Sequence, residues 1–511
     1  MLQQNFAYII DKRALVHPQD AAVIEAETGR RYSYLDLVQR SCRLASALRA
    51  RGVGKGDRVC CLTKNSIEYI DLFLAAARLG AVLCPLNYRL SSQEMAAIVA
   101  DAAPAALAFD IEFAELARGL LERSPAIGTI YYFGPGLLPW GSSMEAEVAG
   151  ASGEPPAIVG DSEDPLLMLF TAGSTGRPKG VPLKHRHLFF SAMNWIVELG
   201  LSRSDYTLTV LPLFHIGGHI LWTMPHLIIG AKVLLLRRFE PEATLRLLEQ
   251  HRITNTYLIP AMARMILALP DWKRFDLGSV RFIGSGGEAV SESITSAFVG
   301  IGIPILNSYG LTETCDGTTS IRPDDALGRP ANCIGKPLPF IDVKIVDGDG
   351  AEVPVGEPGQ IVHRGASVVD AYWQRPEETA KAFRDGWFHT GDIATRDEDG
   401  YVYFLGRKDD MILTGGENVY PAEVEQAILS HPKVADAAVL GVPDEKWGQR
   451  IMAVVAPREG STLDERDLDR HLGDKLSSFK RPRSYEFVAQ LPKIGSGKLD
   501  RALIKKTYGT H

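Results

Sequence analysis

The chain has 511 residues, 46% hydrophobic and 23% charged, which is enough to bury a sizeable core and predicts several structural units. Its 55 basic and 62 acidic residues leave a net charge of -7, too mild and too dispersed to favour nucleic acid or an anionic membrane as partner. The six cysteines contain no Cys-x-x-Cys pair and sit mostly in apolar runs, so they read as reduced core or loop residues. Residues 1–13 carry Asp11 and lack the basic start and apolar stretch of a targeting segment. Charges and prolines interrupt every later apolar run before it reaches membrane-spanning length, and the final Tyr508-Gly509-Thr510-His511 is not a peroxisomal signal. The expectation is a cytoplasmic protein with no integral membrane association.

Ser33 and Asp36 form a Ser-x-x-Asp start, Tyr34, Val38, Cys42, Ala45 and Leu48 follow at helical spacing, and Gly52 lies just beyond. That pattern predicts an amphipathic helix. Residues 59–62 read as a short buried strand, Ile67–Leu79 as a second helix closed by Gly80, and 81–84 as another strand before Pro85. Strand, helix, strand implies a parallel α/β layer. The same rhythm returns at 166–170, 207–211, 232–236, 256–259 and 280–283, and ligand loops in such sheets sit at the carboxyl ends of strands. From Ile341 the pattern changes to short strands around tight turns such as Asp347-Gly348-Asp349-Gly350, which predicts a small β unit over about 335–406. Beyond Asp409-Asp410 come a helix, Pro421–Leu429, a strand at 435–440 and further mixed elements, enough for an independent lobe. The expected fold is α/β: a large N-terminal domain, 1–408, of mixed and parallel sheets flanked by helices, and a smaller, mobile α+β C-terminal domain, 409–511.

The segment Thr171-Ala172-Gly173-Ser174-Thr175-Gly176-Arg177-Pro178-Lys179-Gly180 follows the strand ending at Phe170. Its glycines free the backbone to turn N–H groups toward an anion, the hydroxyls of Thr171, Ser174 and Thr175 add donors, and Lys179 adds positive charge. A polyphosphate would suit it. No Gly-Lys-Ser/Thr follows, so the spacing is not that of a Walker loop. Further along stand Tyr309-Gly310-Leu311-Thr312-Glu313-Thr314, then Gly386-Trp387-Phe388-His389-Thr390-Gly391-Asp392, then Gly406-Arg407-Lys408-Asp409-Asp410 running into Gly415-Gly416-Glu417-Asn418, and finally Pro492-Lys493-Ile494-Gly495-Ser496-Gly497-Lys498.

In this order the motifs resemble those of the adenylate-forming, AMP-binding superfamily, which includes acyl-CoA synthetases, adenylation domains of peptide synthetases, and luciferases. With the N-terminal helices the likeness covers essentially the whole chain, and its branch is similar to fatty- or aryl-acid CoA ligases. Physical roles can be stated beside it. Tyr309 can lie against an adenine face, Gly310 allows close backbone approach, and Glu313 offers a carboxylate suited to a hard Mg²⁺ bridging phosphates. Asp392 could accept both ribose hydroxyls. Lys498 could reach the carboxylate oxygen and the α-phosphate as charge is redistributed between them.

The resemblance implies ATP, Mg²⁺ and coenzyme A as co-substrates, with catalytic roles for Lys498, His215 and Glu313 and metal contacts from Glu313 and Thr171. It implies nucleotide contacts along Thr171, Ala172, Gly173, Ser174, Thr175, Gly176 and Lys179. Further nucleotide contacts would come from Gly287, Glu288, Ser308, Tyr309, Gly310 and Thr312, and from Asp392, Arg407 and Lys498. Asp409 matches a hinge about which the C-terminal lobe rotates between half-reactions, withdrawing Lys498 and bringing Gly415 and Gly416 to a pantetheine tunnel. Trp447, Phe479 and Arg481 match positions that would hold CoA.

The acyl pocket is expected from His215, His219, Trp222, Pro260 and Gly286, with His215 matching a position that gates the carboxylate. Its walls read as apolar with no evident Arg or Lys for a second carboxylate, which favours an aliphatic or aromatic monocarboxylic acid. Two departures stand out: Ala172 replaces a serine usual in the loop, and Glu288 follows Gly286-Gly287 where many CoA ligases have a small residue. Losing one hydroxyl weakens phosphate binding by about 1 kcal/mol. Glu288 could contact the adenine amino group or reshape the acyl pocket; the sequence leaves both open. It also leaves open an acyl or peptidyl carrier protein as acceptor, a non-catalytic nucleotide-binding module, and oligomeric state, a homodimer included.

Overall fold

The computed structural model describes residues 2–151, 156–171, 178–288, 290–326, 328–493 and 499–509. The fold is mixed α/β, with large sheets through the N-terminal four-fifths and a smaller sheet near the C-terminus. Among the described residues no helix is long and apolar enough to cross a membrane.

A seven-stranded sheet has the spatial order Ser142–Ser143, Thr129–Phe133, Ala106–Asp110, Arg58–Leu62, Val82–Pro85, Pro165–Thr171 and Lys179–Lys184. Its strands pair in parallel except for the closing hairpin, where Thr171 lies opposite Lys179. The helix expected after Ser33 forms as its sequence demands. Tyr34–Ala50 begins with a capping box between Ser33 and Asp36, which satisfies backbone donors that would otherwise be orphaned. Ile67–Leu79 is buried along its whole length, its charged Asp71 and Arg78 paired with Arg40 and Asp11, and Gly80 ends it in the left-handed region at φ 66°.

Among the described residues the second sheet has fourteen strands. Its parallel centre comprises Ala21–Glu25, Lys232–Leu235, Tyr206–Thr209, Asn255–Tyr257, Phe282–Gly286 and Ile305–Leu311. The strand expected at 280–283 lies further along, at Phe282–Gly286. Gly284 and Gly286 are drawn into the ladder opposite Leu306 and Ser308, because a pairing register overrides the turn preference of glycine. The β-rich stretch is not a separate sheet. Cys333–Pro337 pairs with Asp316–Ser320 on one side and Val402–Arg407 on the other, so the strands Ile341–Val346, Gly359–Gly365 and Trp387–Arg396 extend the same surface. Gly335 permits the crossing: a β-carbon there would stand 1.9 Å from the Ser320 carbonyl carbon.

The C-terminal sheet contains Ile412–Thr414, Glu417–Val419, Val434–Asp444, Gly448–Pro457 and Ser484–Phe487. It has its own core, including Ile412, Val424, Ile428, Val439, Ile451 and Leu468, beneath the helices Pro421–Leu429 and Glu465–Gly473. The strand expected at 435–440 runs on to Asp444, since antiparallel pairing continues to Asp444 opposite Gly448.

Candidate active site

The strand Ile305–Leu311 delivers Tyr309 and Gly310 to the carboxyl edge of the parallel sheet, and the following turn presents Thr312 and Glu313. Gly310 is sterically required, because a β-carbon would stand 1.8 Å from the Asp316 carbonyl oxygen. The Tyr309 hydroxyl donates to Asp392 Oδ2 at 2.6 Å, and Arg407 Nε lies 3.1 Å from Asp392 Oδ1. The Asp392 side chain is 4% exposed against 59% for Arg407, so the carboxylate is held from below while the guanidinium faces outward. Burial, reinforced by Asp392, pushes the Tyr309 hydroxyl well above its ordinary pKa. Strands Trp387–Arg396 and Val402–Arg407 supply this pair, with Asp392 directly opposite Arg407 in the ladder.

A second cluster stands beside the first. The Tyr372 hydroxyl donates to Glu313 Oε1 at 2.9 Å, and Lys179 Nζ lies 5.2 Å from the Tyr372 ring centroid. Burial raises the Glu313 pKa, opposed by its hydrogen bonds and by the charges of Arg407 and Lys179. Since Lys179 faces Thr171 across the hairpin, both ends of the 172–177 segment are tied to the surroundings of Glu313. Ala172, Gly173, Ser174, Thr175 and Gly176 lie outside the described residues. So does Lys498, although the flanks of its segment are placed: Lys493 and Leu499 form a β-bridge, and Lys493 Nζ lies 2.8 Å from Asp436.

Around the expected acyl pocket, Ser308 Oγ donates to the Ser285 carbonyl at 3.0 Å and lies 2.9 Å from the Tyr257 hydroxyl. Gly286 fits beneath them, since its β-carbon would stand 2.5 Å from Tyr257 Oη. Gly287 takes φ 81°, and Pro260 opens the helix Pro260–Leu267. His215 is half-buried beside Phe214, with ring centroids 4.5 Å apart, just before the π-helical turn Gly217–Thr223. His219 and Trp222 are placed in the packed core. His219 lies edge-on to Tyr69 and Phe73, with Nδ1 3.1 Å from the Tyr69 hydroxyl, and burial lowers its pKa to about 3. The Trp222 indole N–H donates to Thr207 Oγ1 at 2.7 Å. Glu288 faces Arg264 at 3.6 Å.

On the C-terminal lobe, Gly415 and Gly416 form the turn between Ile412–Thr414 and Glu417–Val419 at φ 60° and 87°. The Trp447 ring lies directly on Gly415, whose β-carbon would stand 2.7 Å from it, and Arg483 sits 4.6 Å above the same ring. Phe479 is half-buried in the turn Ser478–Lys480. Arg481 donates to the carbonyls of Leu476 and Gly473, both at 2.8 Å, and so closes the end of the helix Glu465–Gly473. Asp409 is exposed in the turn Lys408–Asp410, while its neighbour Asp410 lies 3.8 Å from Arg501.

The structure thus brings together Tyr309, Asp392 and Arg407, and separately Glu313, Tyr372 and Lys179, with Thr171 opposite Lys179 in the ladder. Residues that sequence reasoning missed are Tyr372, which joins the second group, and Arg264 and Arg483. Tyr372 had a legible signal in the aromatic pair Tyr372-Trp373; the others are ordinary charged residues that only three-dimensional neighbours distinguish.

The chain matches the AMP-binding enzyme family over residues 10–373 and the AMP-binding enzyme C-terminal domain over 423–498. It is 38% identical over 503 residues to a feruloyl-CoA synthase of Amycolatopsis, covering 98% of each chain. The solved structure of ATP-bound MatB from Rhodopseudomonas palustris superposes with a TM-score of 0.90 at 32% identity, covering 99% of each chain. An anthranilate CoA ligase in complex with anthranoyl-AMP superposes with a TM-score of 0.91 at 28% identity, covering 99% of this chain and 97% of that one. This protein belongs to the AMP-binding enzyme family.

Proposed function

We propose that the protein is an ATP- and Mg²⁺-dependent acid–CoA ligase. The observation that carries this reading is the pair of adjacent clusters, Tyr309 with Asp392 and Arg407, and Glu313 with Tyr372 and Lys179, at the roots of the glycine-rich loop. Full-length similarity to a feruloyl-CoA synthase and to an anthranilate CoA ligase supports it.

Carboxylates are poor acyl donors because the departing oxide is strongly basic. Attack of a carboxylate oxygen on the α-phosphorus of ATP expels pyrophosphate and leaves an acyl-adenylate, from which AMP departs easily. Such phosphoryl chemistry requires positioning and charge neutralisation more than a protein nucleophile. Asp392 would accept from the ribose hydroxyls, Tyr309 would border the adenine, and Lys179 with Lys498 would neutralise phosphate charge. The Glu313 carboxylate and the Thr171 hydroxyl are hard oxygen donors that fit Mg²⁺, and a cation there would favour the ionised form that burial disfavours. Bound Mg²⁺ would supply charge neutralisation on the phosphates. In the second step the CoA thiolate attacks the acyl carbon and releases AMP. Rotation of 409–511 about Asp409 would exchange the Lys498 segment for the Gly415-Gly416 turn, with Trp447 and Arg483 near the incoming CoA. The substrate class is a fatty or aromatic monocarboxylic acid, and ATP with CoA fits a cytoplasmic setting.

The test is a panel of carboxylic acids incubated with ATP and Mg²⁺, followed for pyrophosphate, then with CoA or a phosphopantetheinyl carrier protein, followed for AMP. Pyrophosphate release with at least one acid and thioester formation on free CoA are expected. Thioester only on the carrier would replace CoA by a carrier as acceptor. ATP binding without pyrophosphate release from any acid would overturn the enzymatic reading.

A further inference from the structure

The residues after the strand Gly359–Gly365 form a strap between the two large sheets. Val369 donates its backbone N–H to the Glu313 carbonyl at 2.9 Å, and the Trp373 N–H donates to the Gly180 carbonyl at 2.8 Å. One contact holds the turn that bears Glu313, the other the strand Lys179–Lys184. Tyr372 lies between these anchors in the chain and is fixed further. Its N–H donates to Thr379 Oγ1 at 3.0 Å, and its ring meets Phe383 edge-on with centroids 5.9 Å apart.

The Tyr372 side chain reaches both groups proposed to meet the triphosphate, with different parts of itself. Its hydroxyl donates to Glu313 Oε1 at 2.9 Å, where Glu313 is only 8% exposed. Its ring carries the Lys179 ammonium 5.2 Å from the centroid, a separation at which a cation is attracted to an aromatic face. A glutamate without such a donor is free to turn about its terminal torsion, and lysine is among the side chains with most rotamer freedom to lose. Fixing both in advance removes an ordering cost that ligand binding would otherwise bear.

We propose that Tyr372 is a positioning residue with two separable duties: its hydroxyl orients Glu313 for a nucleotide-bound Mg²⁺, and its ring holds Lys179 for the phosphates. The proposal rests on the ATP-dependent reading above and adds the group that arranges its metal and phosphate contacts. A carboxylate has lone pairs for a donor and a cation together, so the hydroxyl does not compete with the metal.

The test measures ATP binding to the full chain by calorimetry in the absence of any acid, once with Mg²⁺ and once with a chelator in its place. The unsubstituted protein is expected to bind ATP more tightly with Mg²⁺. Tyr372→Phe, which keeps the ring, should leave metal-free binding unchanged and lose about tenfold of the Mg²⁺ enhancement. Glu313→Gln should lose at least as much, and Tyr372→Phe added to it should cost nothing further, because the hydroxyl acts through the carboxylate. Tyr372→Leu, which removes the ring, should also weaken metal-free binding by about threefold. The role of the hydroxyl is overturned if Tyr372→Phe keeps the full Mg²⁺ enhancement, weakens binding equally under both conditions as a structural defect would, or adds to Glu313→Gln. Metal-free binding by Tyr372→Leu equal to that by Tyr372→Phe overturns the role of the ring. ATP binding without any Mg²⁺ enhancement in the unsubstituted protein overturns the inference alone, whereas no ATP binding under either condition overturns the ATP-dependent reading and the inference with it.

Discussion

In the large N-terminal region, the carboxylates proposed for nucleotide and metal are sunk into the sheet edge and already held by partners: Asp392 between Tyr309 and Arg407, Glu313 under Tyr372. In the C-terminal lobe the proposed functional groups lie near the surface and are tied to their own lobe: Asp409 is exposed, Trp447 rests on Gly415, and Arg481 is committed to a helix end. The contrast fits a division of labour. Groups that must match a charged ligand gain from fixed, partly desolvated geometry, whereas groups proposed to enter and leave the site must stay intact while their lobe rotates.

The comparison predicts a graded set of effects. Lys498→Ala should reduce acyl-adenylate formation by about a hundredfold to a thousandfold while largely sparing thioester formation from supplied acyl-adenylate, both measurable in single-turnover assays. Equal loss in the two half-reactions would place that lysine in the fixed part of the site. Trp447→Ala should raise the KM for CoA by about tenfold with pyrophosphate exchange unaffected, as expected for loss of an aromatic contact. Arg481→Ala sharpens the division within the lobe. Removal of its two carbonyl contacts should destabilise the lobe by about 1 kcal/mol in denaturant unfolding. A rise in the CoA requirement without loss of stability would instead give Arg481 to the ligand.

The smallest effect concerns the cost of preorganisation at Glu313. Burial raises its pKa, so folding favours the protonated form. That contribution is fully present below the unfolded carboxylate pKa and lost as pH rises through the folded value. Glu313→Gln imitates the protonated form. It should raise Tm by roughly 1–3 °C near neutral pH, with the gain closing in acid, while adenylation falls. A variant that melts below the parent protein at neutral pH would show that Tyr372 stabilises the ionised form more than burial opposes it.

Much of the architecture was legible because its signals are local. The Ser33–Asp36 capping box and the Gly80 helix stop involve residues a few positions apart, and both stand as read. The strand Phe282–Gly286 lies later than the local pattern predicts, because its glycines enter the ladder through pairing with Leu306 and Ser308. The β-rich stretch reads as a small β unit because its turns are local, whereas its junction with the large sheet at Gly335 is a contact between distant strands.

At the site, the one-dimensional order of motifs was enough to assign the family and to single out Tyr309, Glu313 and Asp392, since each lies within a short, unusual string. Sequence alone also determined net charge and the strand-helix rhythm. Only the tertiary structure decided that Tyr309 and Arg407 both hold Asp392, that Tyr372 links Lys179 to Glu313, and that Arg264 faces Glu288. The reason is physical: these relations join residues far apart in the chain, and their energies depend on burial and on ångström-scale separations that local spacing does not encode.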